Sequence, residues 1–511
     1  KGYCTGSNLV SILLIIVGSV LLFRTDVGFE GFSTTTKTAE NAIVNGYKQM
    51  GANSGAVFIG NPYRSFTGPR MFHQGKHIES SVSNSDRRKA FFRKLSSHHD
   101  RETTCDKWSV VTTIFDPSDA IVRAANLGDD WCLVIVGDNK TPKDYMEKEN
   151  GGALKKPNVF FFSMEEQKEW IQMANIAPQI SRFVRLTPEN HFGRKNLGFL
   201  YATLRGAKFI FDFDDDNFIN KDDAGKLVPL IPDESQVKDV RFVKTSRTVF
   251  NHHPLMGATI EESWARGFPL GFILDKESQG TAVSMGNVKM SNVAVIQFCA
   301  DENPDIDAIH RFVKPLPMNF DHDRHPVLVP ENAFSPYNAQ ATIHTSQAFF
   351  TTLLPVTVKG RVSDIWRSYF SQALFRDLNL GVIFAPPSIH QIRNEHNYYG
   401  DMESERDLYF KGEKLNEFLS TWKSADTSIP ARMEQLWIAL YERGYIELLD
   451  VQVTQAWLGA LVESGYNFPT KAEALPSPDS GKVIKDGSAS NAKTRYLRKK
   501  EKLDLRNSRQ D

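Results

Sequence analysis

AKFIFDFDDDN, residues 207–217, runs from a dense apolar segment straight into a crowd of carboxylates. Residues 207–213 have the composition of a buried strand. Asp212, Asp214, Asp215 and Asp216 stand at or just beyond its end. A strand alternates its side chains, so Asp212, Asp214 and Asp216 share one side if the strand continues, with Phe211, Phe213 and Asp215 on the other. Mutual repulsion makes such a cluster costly, and a divalent cation would offset that cost. Carboxylate oxygens suit Mg2+ or Mn2+, with phosphate oxygens as further ligands. The competing account is a solvated acidic turn, which fits poorly with a cluster that directly ends a buried strand.

The segments upstream give this strand its setting. WSVVTTIF (108–115), WCLVIVG (131–137) and NVFFFS (158–163) read as three earlier buried strands. Helical spacing falls between them at 118–127, then at 167–174 and at 191–206, the last closed by Gly206. Strand and helix in alternation predict a mostly parallel sheet with right-handed crossovers, an α/β fold. In such sheets ligands sit at the carboxyl ends of the strands, where Asp116, Asp138 and the acidic cluster all lie. There is no GxxxxGK[ST], which argues against a P-loop, and no GxGxxG after the first strand, which argues against a classical dinucleotide site.

The chain has 511 residues, enough for several domains or one elaborated α/β domain, with 41% hydrophobic and 24% charged residues. Lys plus Arg equals 61 and Asp plus Glu equals 61, so a globally basic nucleic-acid binder is excluded and no nucleic-acid partner is expected. Four cysteines, none at metal-site spacing, exclude a disulfide-dense scaffold. LVSILLIIVGSVLLF (9–23) is the one long apolar run. Fifteen residues make about 22 Å of helix, short of the roughly 30 Å hydrocarbon core, and residues 5–23 come closer. A transmembrane signal anchor over 1–24 is the first reading, with a cleaved signal peptide and a buried helix as alternatives. Residues 25–104, polar and basic in part, read as a stem. Amphipathic helices are expected at 415–422 and 431–444 and through 452–461, in a helical extension spanning 401–468. A polar, basic tail follows over 469–511.

At this point the chain resembles the STELLO-type glycosyltransferases, a membrane-anchored Golgi family of the GT-A fold. The matching stretches are WSVVTTIFDPSDA (108–120), WCLVIVGDNKTP (131–142), FGRKNLGFLYA (192–202), IFDFDDDN (210–217), FSPYNAQATIH (334–344), LLPVTVKGRVSDIWRSYFSQALF (353–375) and QIRNEHN (391–397). The likeness covers about 105–400 well and 400–480 loosely. A fainter resemblance links the aspartate triplet to UDP-arabinose mutase and the reversibly glycosylated polypeptides.

The resemblance implies a GT-A-like domain over 105–400 and a metal-dependent transfer from a nucleotide sugar, UDP-linked, to a glycan or glycoprotein. It also implies a Golgi membrane location, single-pass type II with a lumenal catalytic domain, and a homodimer or a polysaccharide-synthase complex. A low-activity synthase scaffold and a nucleotide-sugar mutase are the alternatives.

By the family pattern Asp216 is the direct metal ligand. Asp214 contacts the metal shell or the ribose, and Asp215 orients the sugar or the metal shell. A third ligand from a distant C-terminal segment is His396, with His390 second. Asp138 or Asp116 would accept the uracil imide N–H, or cap a turn. Arg194 or Lys195 would reach the donor phosphates from a helix start, or stand as a solvated charge. Asp364, read as opening a helix after a PVTVKGRVS strand, is the candidate base of an inverting transfer or an N-cap. Arg361, Arg367, Tyr337, Asn338, Gln340 and His344 are further contacts for phosphate, sugar or acceptor.

Overall fold

A computed structural model describes residues 64–72, 105–393 and 397–483. The apolar run 9–23, most of the stem, His396 and the basic end of the tail lie outside the described residues. Among those described, no helix is long and apolar enough to cross a membrane.

The chain order begins β1 (Lys107–Thr112), α1 (Asp119–Ala124), β2 (Trp131–Val136), β3 (Val159–Phe162), α2 (Met164–Gln172), α3 (Pro178–Leu186), α4 (Lys195–Leu204), β4 (Phe209–Asp212) and β5 (Asn217–Ile219). It continues with β6 (Gln236–Lys244), β7 (Thr281–Lys289), β8 (Val293–Glu302), α5 (Ala308–Val313), β9 (Val327–Leu328) and β10 (Thr342–Thr345). It ends with α6 (Gly360–Phe375), β11 (Gly381–Gln391), α7 (Tyr398–Ser404), α8 (Arg406–Thr421), α9 (Ile429–Glu442), α10 (Leu448–Glu463) and β12 (Lys482–Val483).

All these strands join one sheet in the order β12-β7-β6-β9-β11-β8-β10-β4-β1-β2-β3, with β5 added against β11. The first strands form the parallel half, with β1 between β2 and β4 and β2 beside β3. Beyond β4 the sheet is mixed: β10 runs antiparallel to both β4 and β8, and β8 and β11 return to parallel.

Alternation along the buried strands divides the core into two layers. Trp108, Val110, Cys132, Val134 and Ile210 face one layer, and Val111, Leu133, Ile135, Phe209 and Phe211 face the other. A period of two with both faces covered explains why these strands read as unbroken apolar runs. Cys105 and Cys132 form a disulfide at the entry to β1 and β2.

Helix α4 is buried along its whole length. A Cβ at Gly198 would come within 2.6 Å of Val110 Cγ1 and 2.7 Å of Val136 Cγ2. Glycine therefore lets α4 lie directly on β1 and β2 and sets the depth of Lys195 at its first turn.

The expected strand over 355–363 does not form. Pro355 has no N–H for a ladder, and Asp450 of α10 takes the N–H groups of Val356 (2.6 Å) and Thr357 (3.3 Å). With its donors taken by a side chain, the segment bends instead and leads into α6 at Gly360.

The C-terminal helices pack on α6 through Trp366, Phe370 and Trp437. The helix expected through 452–461 forms as α10 and begins earlier, at Leu448. Residues 64–72, within the expected stem, lie on this helical layer. The backbone N–H groups of Met71 and Phe72 donate to Glu434 at 2.7 and 3.0 Å. Arg64 pairs with Glu447 and covers the Tyr441 ring at 4.1 Å.

Candidate active site

β4 ends at Asp212, and residues 214–216 form a turn instead of continuing the strand. The shared face expected for Asp212, Asp214 and Asp216 is therefore broken. Asn217 shapes the turn: its side-chain oxygen accepts the Asp214 N–H at 2.9 Å, its amide donates to Asp216 Oδ1 at 3.1 Å, and its backbone N–H reaches Asp214 O at 3.0 Å. β5 then pairs with β11, placing Gln391 opposite Asn217. Gln391 Nε2 donates to Asp216 Oδ2 at 3.0 Å. On the other side the Thr113 hydroxyl donates to Asp215 Oδ2 and Ser118 Oγ to Asp215 O. The triplet thus sits at the carboxyl end of β4, braced by residues from β1's end, α1's cap and β11.

Asp212 is fully buried and faces three basic side chains: Lys195 Nζ at 2.6 Å, Arg367 at 2.9 Å and His344 at 3.7 Å. Burial alone would raise its acid; Lys195 and Arg367 outweigh that and hold it well below the usual carboxylate range. Burial lowers His344 to about 4, with the Arg367 guanidinium adding to the fall and the nearby Asp212 carboxylate opposing it. Lys195 also reaches Asp214 Oδ1 (3.0 Å), Phe213 O (2.7 Å) and Ala339 O (3.1 Å).

Asp216 is pushed up to about 6 by burial and then by the Asp214 charge, partly countered by Gln391 and Arg393. Burial also raises Asp215, with the Thr113 hydrogen bond opposing and Asp214 adding. The outer turn is short of positive charge even though the buried Asp212 behind it is well supplied.

Clustered carboxylate oxygens short of positive charge fit a hard divalent cation. Among the described residues no group of three His, Cys, Asp or Glu side chains is arranged to hold an ion. A cation at this turn would therefore complete its shell with ligand oxygens and water, as Mg2+ commonly does.

The remaining candidates fall in distinct places. Arg194 is buried away from the turn, donating to Thr187 O (2.9 Å) and to Gln167, while Lys195 beside it faces the acids. The Asp138 carboxylate caps backbone: it accepts the N–H groups of Asn139 (2.7 Å), Asn190 (2.8 Å) and His191 (2.9 Å). Asp116 is exposed beyond β1, 3.8 Å from Lys148. His390 bonds Asn220 through Nδ1 (2.7 Å) and stacks on Phe218, on the opposite side of β11 from Gln391 by alternation.

Asp364 is not the cap of α6, whose N-cap is Lys359. It is buried in the second turn, where Arg266 bridges it to Asp305: Nη1 and Nη2 reach Asp364 at 3.0 and 2.7 Å, and Nε and Nη2 reach Asp305 at 2.7 and 2.8 Å. Asp364 Oδ2 also accepts the Ala339 N–H at 3.2 Å. A small cavity of about 30 Å³ adjoins this pair, lined among others by Gln297, Asn338, Gln340 and His252. Arg361 pairs with Glu405, and Tyr337 is buried beside Arg367. Asn217 and Gln391 were within the quoted motifs but carried no assigned role, and Arg266 and Asp305 stood in no motif.

Comparison with known proteins agrees with the motifs. The family model of STELLO glycosyltransferases matches residues 361–503. Two Arabidopsis thaliana proteins, named "Probable glycosyltransferase STELLO2" and "Probable glycosyltransferase STELLO1", are each 28% identical to this chain over 376 residues, covering 71% of it. Those alignments cover 46% and 45% of the two relatives, so the chain spans about half the length of the curated proteins it matches. Over these stretches the chain is similar to the STELLO glycosyltransferases.

Proposed function

We propose that this protein transfers a sugar from a nucleotide-sugar donor, UDP-linked, to a glycan or glycoprotein acceptor, with Mn2+ or Mg2+ at the 214–216 turn. The observation that carries the proposal is the braced carboxylate turn at the carboxyl end of β4, where an α/β sheet presents ligands. When bound, the cation would act as a Lewis acid on the departing nucleoside diphosphate.

The chain's own residues prepare that event. Asp214, partly exposed, and Asp216 would hold the ion, and Asn217 and Gln391 fix their carboxylates. Lys195 and Arg367 neutralise Asp212, so the buried acid adds little net repulsion to the turn. Asp364 is the carboxylate assigned to the acceptor side, oriented by Arg266. An acceptor proton would pass to it only if one oxygen exchanged its present partner for the acceptor hydroxyl.

A Golgi lumenal setting with an N-terminal anchor belongs to the same proposal. The Cys105–Cys132 disulfide supports it, since such bonds persist in oxidising compartments. The deciding experiment offers the full chain several nucleotide sugars with Mn2+, with and without acceptor glycans, and follows product formation. Transfer to acceptor is expected. Rearrangement of the donor sugar without acceptor would favour a mutase, and no turnover with intact UDP binding would favour a scaffold.

A further inference from the structure

The site's outer rim carries groups that sugar transfer from a donor does not use. β11 leads from Gln391, bonded to Asp216, directly to Ile392 and Arg393. Ile392 is 58% exposed. The Arg393 side chain is only 6% exposed; among the described residues Asp305 is the carboxylate beside it, at 4.0 Å, and its buried Nη1 has no hydrogen-bond partner. Arg311 of α5, also buried, donates only to neutral oxygens, those of Asn303 and Pro304 (3.0 Å), and its Nε is unpartnered. The carboxylates nearby are engaged elsewhere: Asp305 and Asp364 by Arg266, Glu405 by Arg361. Among the described residues, two neighbouring guanidinium groups therefore lack a hydrogen-bonded counter-ion. Burial lowers the basicity of both; the Arg393 charge lowers Arg311 further, and the Arg361 charge lowers Arg393.

Exposed rings stand beside this pair. Phe312 of α5 is 43% exposed and Tyr399 of α7 is 72% exposed, with ring centroids 5.0 Å apart. Tyr398 packs edge-on to Phe312 at 6.0 Å and lies 5.9 Å from the Arg311 guanidinium. Exposed apolar patches rimmed by polar groups mark binding surfaces, and a planar guanidinium matches a carboxylate bidentately.

We infer that Phe312 and Tyr399, with Arg311 and Arg393, form an acceptor subsite for an acidic glycan, the rings taking sugar faces and the guanidinium pair a uronic carboxylate. The inference rests on the transferase reading, and it selects the acceptor class within that reading. Continuity with the Asp216 turn through Gln391 and the unanswered positive charge favour a charged carbohydrate over a neutral one.

The test is calorimetry of the full chain with a short galacturonic acid oligomer, its carboxyl-reduced neutral counterpart and a short polyglutamate. UDP with Mn2+ is titrated on the same samples. The uronide is expected to bind at least about tenfold more tightly than the neutral oligomer. The double substitution Phe312→Ala with Tyr399→Ala, at exposed positions, should weaken it by about tenfold or more. Arg393→Gln should erase the preference for acid. Equal binding of acidic and neutral oligomers, equal binding of polyglutamate, or indifference to the aromatic pair would overturn the inference. So would Arg393→Gln weakening UDP and sparing the uronide. Absent uronide binding with intact UDP binding sinks this subsite alone, and absent UDP binding sinks the transferase reading.

Discussion

Lys195 and Asp212 form a 2.6 Å ion pair with both side chains withdrawn from solvent, and the same ammonium reaches Asp214 at the start of the acidic turn. Removing the cation strands a buried carboxylate. Lys195→Met is expected to destabilise the fold by about 3–5 kcal/mol, the scale for breaking a buried pair. Urea denaturation would show it. A loss below about 1 kcal/mol would mean that Arg367 alone suffices for Asp212.

Metal coupling should localise to Asp216. Mn2+ should strengthen UDP binding to the wild type, and Asp216→Asn should abolish that strengthening while leaving the melting curve nearly unchanged. Titrations with Mn2+ and with a chelator check this directly. The same UDP affinity in both would remove the cation from the proposal.

Asp364 can be separated from its partner. Asp364→Asn is expected to lower transfer by about 10²-fold if it accepts the acceptor proton. Arg266→Lys keeps the carboxylate and a positive charge while losing the two-sided fork. Equal rate losses in the two variants, with equal changes in KM, would assign Asp364 to positioning instead of proton transfer.

Gly198 sets the spacing of α4 from the sheet. Gly198→Ala should cost about 1–3 kcal/mol through overpacking against Val110 and Val136, despite the better helix propensity of alanine. Because Lys195 rides on the same helix, UDP binding with Mn2+ should weaken as well. Unaltered thermal unfolding would show that the two valines can yield.

Asp307, the N-cap of α5, gives a pH dependence of its own. Burial raises its acid to about 7, with Glu405 adding to the rise against hydrogen bonds from His310 and Trp264. The folded chain then keeps a proton that the unfolded chain has released, so stability should fall as pH rises from about 4 to about 7. The slope from this group is at most about 1.4 kcal/mol per pH unit. Asn is also a good N-cap, so Asp307→Asn should fold and show a flatter profile. Parallel profiles for the two proteins would show that Asp307 ionises normally.

The parallel half of the sheet was legible because strands buried on both faces advertise themselves locally, as WCLVIV does. The acidic turn was legible for the same reason: it interrupts such a strand. Its geometry was not. Period two carries Asp214 and Asp216 onto one face only while the strand lasts, and Asn217 ends it by taking the Asp214 N–H. Arg194 and Lys195 are adjacent in sequence, yet helical rotation sends one into the core and the other to the acids. Asp364 looked like a cap because Pro355 to Val358 looked like a strand. The Asp450 side chain that consumes those N–H groups comes from about a hundred residues away, beyond any local signal. Arg266 and Asp305, which hold Asp364, are likewise brought there only by tertiary folding.

The docking of residues 64–72 bears on how the domain can be cut. Glu434 is buried, and besides the N–H groups of Met71 and Phe72 it has Gln455, whose amide also holds Pro69 O. Shortening the chain to begin at Cys105 would leave a buried carboxylate with one neutral donor and uncover the hollow filled by Phe72. A trimmed domain should therefore begin upstream of Arg64, even where solubility alone would suggest the later start.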